Sequence, residues 1–332
     1  MNLVKSYILP RLLQWLVVIV VVITVTFLIP RLLPTDPVEQ SITRLAGMQM
    51  MDPRAVADFQ DALRDLYGLQ GTVFEQYVQF WRRLVQGDLG PSLGSFPTPV
   101  TTIIRNALPW TVGLLGTSVL VSWLLGVVLG TIAGYYSDSL WAKTLDKVLI
   151  TVYPIPYYIL ALTLVILFSY YLPIFPLVGG GRGQPAFTFT YLRSVVRHGF
   201  LPAVSLIVIA TAFRFIMAKA LTSRIISSDY VTYARIGGLP DRRIISSYVM
   251  RNSLLPQITD LGLSLGAVFE GALITEVVFS YPGIGYTIFT AIAQTDFNLL
   301  LGVTLFSIVG IATAALFVDL LYPLFDPRIR YG

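Results

Sequence analysis

The sequence predicts an all-α membrane protein with six transmembrane helices and a small hydrophilic segment between the first two. Three observations lead there. Of 332 residues 55% are hydrophobic and only 12% are charged, about half the charged share of an ordinary soluble domain. Six apolar runs each approach or exceed the ~20 residues a helix needs to cross a bilayer. The chain has no cysteine and one histidine, His198, which excludes disulfide frameworks, thiolate metal sites and histidine-based relays together. A net charge of +5 would point a soluble protein toward nucleic acid. In a membrane protein it reports the basic bias of cytoplasmic loops, so no nucleic-acid partner is expected and the bilayer is.

The first run, Leu12–Leu33, follows a basic head carrying Lys5 and Arg11. It is longer than the about 7–15 apolar residues of a signal peptide and no small-residue cleavage site follows. Residues 1–33 therefore read as a retained span with its N-terminus inside. Residues 34–107 form the extracytoplasmic segment. Its acids, among them Asp36, Asp58, Asp65 and Asp88, have no repeated ligand spacing and read as solvated surface. Leu63–Tyr67 and Phe74–Leu84 read as short amphipathic helices, the second with Phe74, Tyr77, Val78, Trp81 and Leu84–Val85 at helical spacing. The turn-rich GDLGPSLGSFPTPV (Gly87–Val100) leads back to the membrane.

The remaining spans fall near Leu108–Ala133, Val148–Leu172, Leu201–Leu221, Leu254–Phe279 and Leu299–Tyr322, making residues 108–332 a five-helix core. Six spans put both termini on one side. All four lysines and twelve of the Lys and Arg residues fall on the inner side, against ten in the longer outer segments, which places both termini in the cytoplasm. Each proline of Tyr153-Pro-Ile-Pro-Tyr157 removes a backbone bond and should kink the third span. Gly126-x-x-x-Gly130-x-x-x-Gly134 lets helices approach closely, either within the chain or at a subunit interface. Val178-Gly-Gly-Gly-Arg-Gly183 reads as a flexible outer loop; no helix follows it that would make it a phosphate cradle.

Residues 222–253 form a polar loop between the fourth and fifth spans, and Ser227–Pro256 carries its own helix signals. Ser228 reads as an N-cap with Asp229 in the first turn. Gly237-Gly238-Leu239-Pro240 ends that helix. A second starts near Asp241 with Ile244, Ile245, Tyr248 and Val249 on one stripe. A helix–turn–helix hung between two spans reads as a docking handle. The chain has no G-x-x-x-x-G-K-[ST] phosphate loop, so it cannot bind ATP by that device itself.

From this loop onward the sequence resembles the permease subunits of bacterial ABC importers, in the dipeptide/oligopeptide/nickel group. DYVTYARIGGLP (Asp229–Pro240) is similar to that group's cytoplasmic "EAA" loop and RNSLLP (Arg251–Pro256) to the loop's close. The resemblance continues in TEVVFSYPGIG (Thr275–Gly285) and VDLLYPLFDPRIRY (Val318–Tyr331), and upstream in GDLGPS (Gly87–Ser92), Pro99-Val100 and NALPWTVGL (Asn106–Leu114). The chain departs from the pattern at Thr232, Ile236-Gly237 and Tyr248. The resemblance implies the type I ABC importer permease fold, a non-catalytic subunit of a bacterial inner-membrane importer. It implies a second, homologous permease, two cytoplasmic ATPases that carry ATP and Mg, and an extracytoplasmic solute-binding protein, with no cofactor in this chain. The solute would be a peptide or similar oligomer, or else an oligosaccharide or a nickel complex. The residues it assigns to the ATPase-coupling loop are Asp229, Tyr230, Ala234, Arg235, Gly238, Leu239, Arg251, Asn252 and Pro256.

Arg214, Asp260, Glu270, Glu276 and Asp319 fall in or near apolar runs and must face protein, water or the membrane surface. Glu276, Pro282, Gly283 and Gly285 match a family motif at the outer end of span five, where a gate is expected. Asp260 and Glu270 stand where this group is usually uncharged. Two readings remain open for them: they line the translocation path, or they partner Arg214 or the second permease. A membrane enzyme would instead need a nucleophile with a base, paired carboxylates or a metal cluster within the spans, and the scattered acids show no such pairing.

Overall fold

The computed structural model describes residues 7–32, 71–181 and 188–325. Its first helix, α1 (Leu9–Leu32), is apolar nearly throughout and exposes much of its surface, including Leu13, Val17 and Val21. It packs on the last helix, α11 (Phe297–Phe325), where Trp15 Nε1 donates to Thr313 Oγ1 at 3.2 Å and Arg11 pairs with Asp319 at 3.1 Å. That pair accounts for the charge of Asp319 in an apolar run. The helix expected at Leu63–Tyr67 lies outside the described residues. The one expected at Phe74–Leu84 is α2 (Val73–Val85), started by a capping box in which Thr72 and Glu75 exchange hydrogen bonds.

The spine of the molecule is α3 (Val100–Tyr135) against α6 (Phe189–Ile226). At 36 and 38 residues they are about 54 and 57 Å long, well beyond the ~30 Å hydrocarbon layer. Both therefore overshoot the apolar runs that announced them. Helix α3 begins at Val100 rather than near Leu108, because Val100, Ile104 and Ala107 form a buried stripe against Ile284, Ala291, Leu299 and Val303. The glycine repeat lies on the α3–α6 seam, so its close approach is made within one chain. A Cβ on Gly130 would stand 2.5 Å from Phe215 O and 2.7 Å from Ala218 Cβ, and one on Gly134 2.8 Å from Thr222 Cβ.

Between them run α4 (Leu140–Val152) and α5 (Tyr157–Val165, extended by π turns at Ile166–Tyr171). The two are bent by 95° at the Tyr153–Tyr157 proline pair, the kink the sequence announced. Asp146 of α4 pairs with Lys219 of α6 at 2.8 Å. Among the described residues four helices are long and apolar enough to cross a membrane, five if the bent pair is one span.

The expected span Leu254–Phe279 is not one helix. Helix α7 (Asp229–Ile236) is followed by α8, continuous through Asp241–Arg243, a π stretch Ile244–Met250 and Arg251–Gly266. A 3-10 turn (Ala267–Glu270) then leads to Gly271 at φ +80°, where the chain leaves the helix. Only glycine holds that conformation cheaply, and Gly285 N would lie 2.9 Å from a Cβ there. Two short helices follow, α9 (Leu273–Val278) and α10 (Ile284–Ala293). The first glycines of the Val178–Gly183 loop are packed rather than loose: Gly179 N donates to Phe279 O at 2.6 Å, and Tyr281 and Pro282 crowd Gly179 and Gly180.

Candidate coupling site

The α7–α8 pair is closed by its break. Gly238 N donates to Arg235 O at 3.1 Å and Leu239 N to Ala234 O at 3.2 Å, a Schellman end to α7. Gly238 takes φ +74° with nothing within 4 Å of where a Cβ would be. Its role at this position is conformational. Ser228 stands at the N-cap of α7 with extended backbone, but its side chain makes no cap bond.

Val231, Ala234, Ile244 and Val249 make a small buried core, covered by Tyr135, Ile225, Ile226, Leu239 and Tyr248. Ala234, expected as a contact residue, is 7% exposed and turned into this core, where its small side chain closes the helix pair. Leu239 is partly buried there too. Of the other expected residues, Asp229, Tyr230, Arg235, Gly238, Arg251, Asn252 and Pro256 are exposed. Tyr233 at 73% and Ile236 at 77% exposed belong with them although the resemblance did not single them out. Their sequence signal was available: both lie off the 231/234 stripe and are apolar.

The pair is fixed to the end of α3. Tyr135 donates its hydroxyl to Asp241 Oδ1 at 2.6 Å and Tyr136 to Asp241 Oδ2 at 3.3 Å, while the Arg235 guanidinium lies 5.6 Å from the Tyr135 ring centre. Partial burial, then the Asp241 carboxylate, raises the Tyr136 phenol above its usual range, which keeps it a donor.

Two polar knots sit inside the bundle. In the first, the Arg214 guanidinium (side chain 7% exposed) donates to Asp260 at 3.0 Å, to Ser122 Oγ at 2.8 Å and to Ser264 Oγ at 2.8 Å. It thereby joins α6, α8 and α3. In the second, fully buried Glu276 accepts from Thr111 Oγ1 at 2.9 Å and Tyr286 N at 3.0 Å. Thr111 Oγ1 in turn accepts from Ile284 N at 2.7 Å. A Cβ on Gly283 would collide with Glu276 and Thr111, and one on Gly285 would come within 2.6 Å of Leu273 Cα. The Pro282–Gly285 turn is thus locked on Glu276. Glu270 belongs to neither knot's hydrogen bonds and is exposed at the 3-10 turn.

A clamp at the opposite end of α3 escaped the sequence reading. Buried Asp296 accepts from Ser92 Oγ, from Gly94 N at 2.9 Å and from Leu299 N at 2.9 Å. Asn298 Nδ2 donates to Pro91 O at 2.6 Å and Leu89 O at 3.1 Å. The GDLGPS loop is pinned to the start of α11 across 204 positions of sequence. Asp296 ahead of an apolar run is a legible N-cap; its distant partners are not. Among the described residues no group of three or more His, Asp or Glu is placed to hold a metal ion.

Comparison with known proteins adds the family. A profile of binding-protein-dependent transport system inner membrane components matches residues 126–331. The chain is 33% identical to the probable D,D-dipeptide transport system permease protein DdpB of Escherichia coli (strain K12), covering 96% of each chain. It is 32% identical to the di/tripeptide transport system permease protein DppB of Pseudomonas aeruginosa (strain UCBPP-PA14), over 92% of this chain and 93% of that one. It is 28% identical to the oligopeptide transport system permease protein OppB of E. coli K12, over 98% and 99%. With a family match over most of its length and full-length relatives, the chain belongs to the binding-protein-dependent transport system inner membrane components, the multi-pass permease subunits of ABC importers.

Proposed function

We propose that the chain supplies half of the translocation path of a peptide importer and takes its driving force from a separate ATPase through the α7–α8 pair. The observation that carries this reading is the loop itself: a helix pair with its own core, tied to α3 through Asp241, leaving Tyr230, Tyr233 and Ile236 exposed. An exposed apolar edge on a small rigid body suits a groove on a partner protein. Peptides are the proposed solute because the relatives are named for D,D-dipeptide, di/tripeptide and oligopeptide transport.

In this reading ATP and Mg reside on two cytoplasmic ATPases, a second homologous permease completes the path, and an extracytoplasmic binding protein delivers solute. Both termini, α7 and the first part of α8 (residues 241–253) are cytoplasmic, and residues 34–99 are extracytoplasmic. The six spans are α1, α3, the bent α4–α5 pair, α6, α8 with its broken continuation, and α11. Displacement of α7–α8 by the closing ATPases would pass along continuous α8 to the Arg214–Asp260 knot and from there to α3 and α6, a rigid-body route to alternating access. Asp260 then serves as a strut beside the path rather than a lining group, while Glu276 fixes the turn at the far end.

The test is reconstitution of the chain with its second permease, ATPases and binding protein in proteoliposomes. ATP-dependent uptake of labelled di- and oligopeptides is expected. Uptake without the ATPases, or of oligosaccharides in place of peptides, contradicts the reading.

A further inference from the structure

Helix α2 has a face that nothing in the coupling account uses. Phe74, Val78, Trp81 and Val85 recur at helical spacing, and with Tyr77 they line an open groove of about 600 Å³ that is almost wholly apolar. Phe74 is 74% exposed and Val85 81%. The polar side of the helix carries Glu75, Gln79 and Arg83, while Gln76, Tyr77 and Phe80 meet α1. At 100° per residue these make three sectors: apolar, polar, and between them a side that touches the first membrane helix.

The contacts with α1 set the depth. Phe27 packs its ring on Tyr77 at 5.1 Å and on Phe80 at 5.7 Å. Tyr77 OH lies 2.8 Å from Thr24 Oγ1, and Arg31 donates to Gln76 Oε1 at 2.6 Å. The apolar span of α1 ends at Ile29. Thr24 is therefore about 7.5 Å inside that end at 1.5 Å per residue, within the roughly 5–10 Å depth at which amphipathic helices lie in a bilayer surface. Around this contact α1 exposes Val25, Leu28 and Ile29, apolar side chains suited to acyl chains at the same depth as α2. Tyr77 and Trp81 are the residue types that favour the headgroup boundary, and Arg82 at the groove's rim suits its phosphates.

We propose that α2 is an interfacial helix, lying in the bilayer surface with Phe74, Val78, Trp81 and Val85 in the acyl boundary and Glu75 and Gln79 in water. It would hold the segment that joins the first two spans against the membrane plane. This placement rests on the membrane character of the chain and is independent of which solute is carried.

The absence of cysteine makes the wild-type chain a ready background. Phe74→Cys, Trp81→Cys, Val85→Cys, Glu75→Cys and Gln79→Cys are made singly, spin-labelled, and placed with the whole importer in phosphatidylethanolamine/phosphatidylglycerol vesicles. Labels at 74, 81 and 85 should be relaxed several-fold more by oxygen, which partitions into lipid, than by a water-soluble nickel chelate. Labels at 75 and 79 should show the reverse. Preferential relaxation of 74, 81 and 85 by the chelate would overturn the proposal, as would protection of these sites from both agents, which would mean that residues 33–70 or another protein cover the groove.

Discussion

Tyr135 at the end of α3 donates a 2.6 Å hydrogen bond to Asp241 at the start of α8, so the α7–α8 pair is fastened to a helix that runs the full depth of the bundle. A loop held only by its two flanking helices could swing freely; this one is tied at a third point. Tyr135→Phe should loosen the pair by about 1 kcal/mol, the usual worth of one hydrogen bond, with Tyr136 as the remaining donor. Removing both donors in a Tyr135→Phe, Tyr136→Phe chain should speed protease cleavage within residues 227–243 and lower uptake per ATP hydrolysed. Unchanged cleavage would mean the bond does not hold the loop.

Gly238 separates conformation from space. Because no atom crowds a Cβ at this position while φ is +74°, the cost of substitution is backbone strain alone, about 1–2 kcal/mol for a branched residue. Gly238→Asn should keep most ATP-driven uptake, since asparagine tolerates left-handed backbone, and Gly238→Val should insert normally yet uncouple hydrolysis from uptake. Equal activity of the two variants would show that the turn's geometry does not matter.

The buried ion pair should behave as a strut. Arg214→Met leaves Asp260 without its cation, and removing one partner of a buried pair costs about 3–5 kcal/mol. The complex should lose thermal stability in detergent, and a second change, Asp260→Leu, should recover much of it. Asp260→Asn that slows transport with unchanged stability would favour a path-lining role instead.

The glycines of α3 divide by what surrounds them. Gly130→Ala drives a methyl into Phe215 O and Ala218 on α6 and should cost about 1–3 kcal/mol as overpacking. Gly113→Ala meets nothing within 4 Å and should stabilise α3 by up to about 1 kcal/mol. Comparing the melting of the two purified variants checks the seam directly.

What the sequence disclosed follows from which signals are local. The proline kink at Tyr153–Tyr157, the amphipathic stripe of α2 and the Gly237–Pro240 stop are short-range and appear where they were read, whereas the apolar runs announced spans whose helices overshoot them or, at Leu254–Phe279, break. The break at Gly271 was missed because the run from Leu254 to Phe279 is apolar on both sides of it, and only the close approach of Gly285 from the chain ahead makes a glycine necessary there. Within the candidate site, the helix pair was legible from its caps and stripe. The inward turn of Ala234 was foreshadowed by its spacing from Val231, yet the family pattern drew it as a contact. The clamps made by Tyr135 on Asp241 and Asp296 on Ser92 join residues far apart in sequence, and no local pattern announces such partners, whereas Arg214 and Asp260 were readable as candidate partners because both charges interrupt apolar runs.

On the proposed function, Tyr230, Tyr233 and Ile236 meet an ATPase. Because the chain has no cysteine, Tyr233→Cys and Ile236→Cys give unique attachment points for a short bifunctional or photoactivated cross-linker in membranes carrying the whole importer. A cross-linked product containing the ATPase subunit is expected from both positions, and none from Gly87→Cys at the opposite end of the bundle. ATPase cross-links from position 87, or none from 233 and 236 in a complex that still transports, would contradict it.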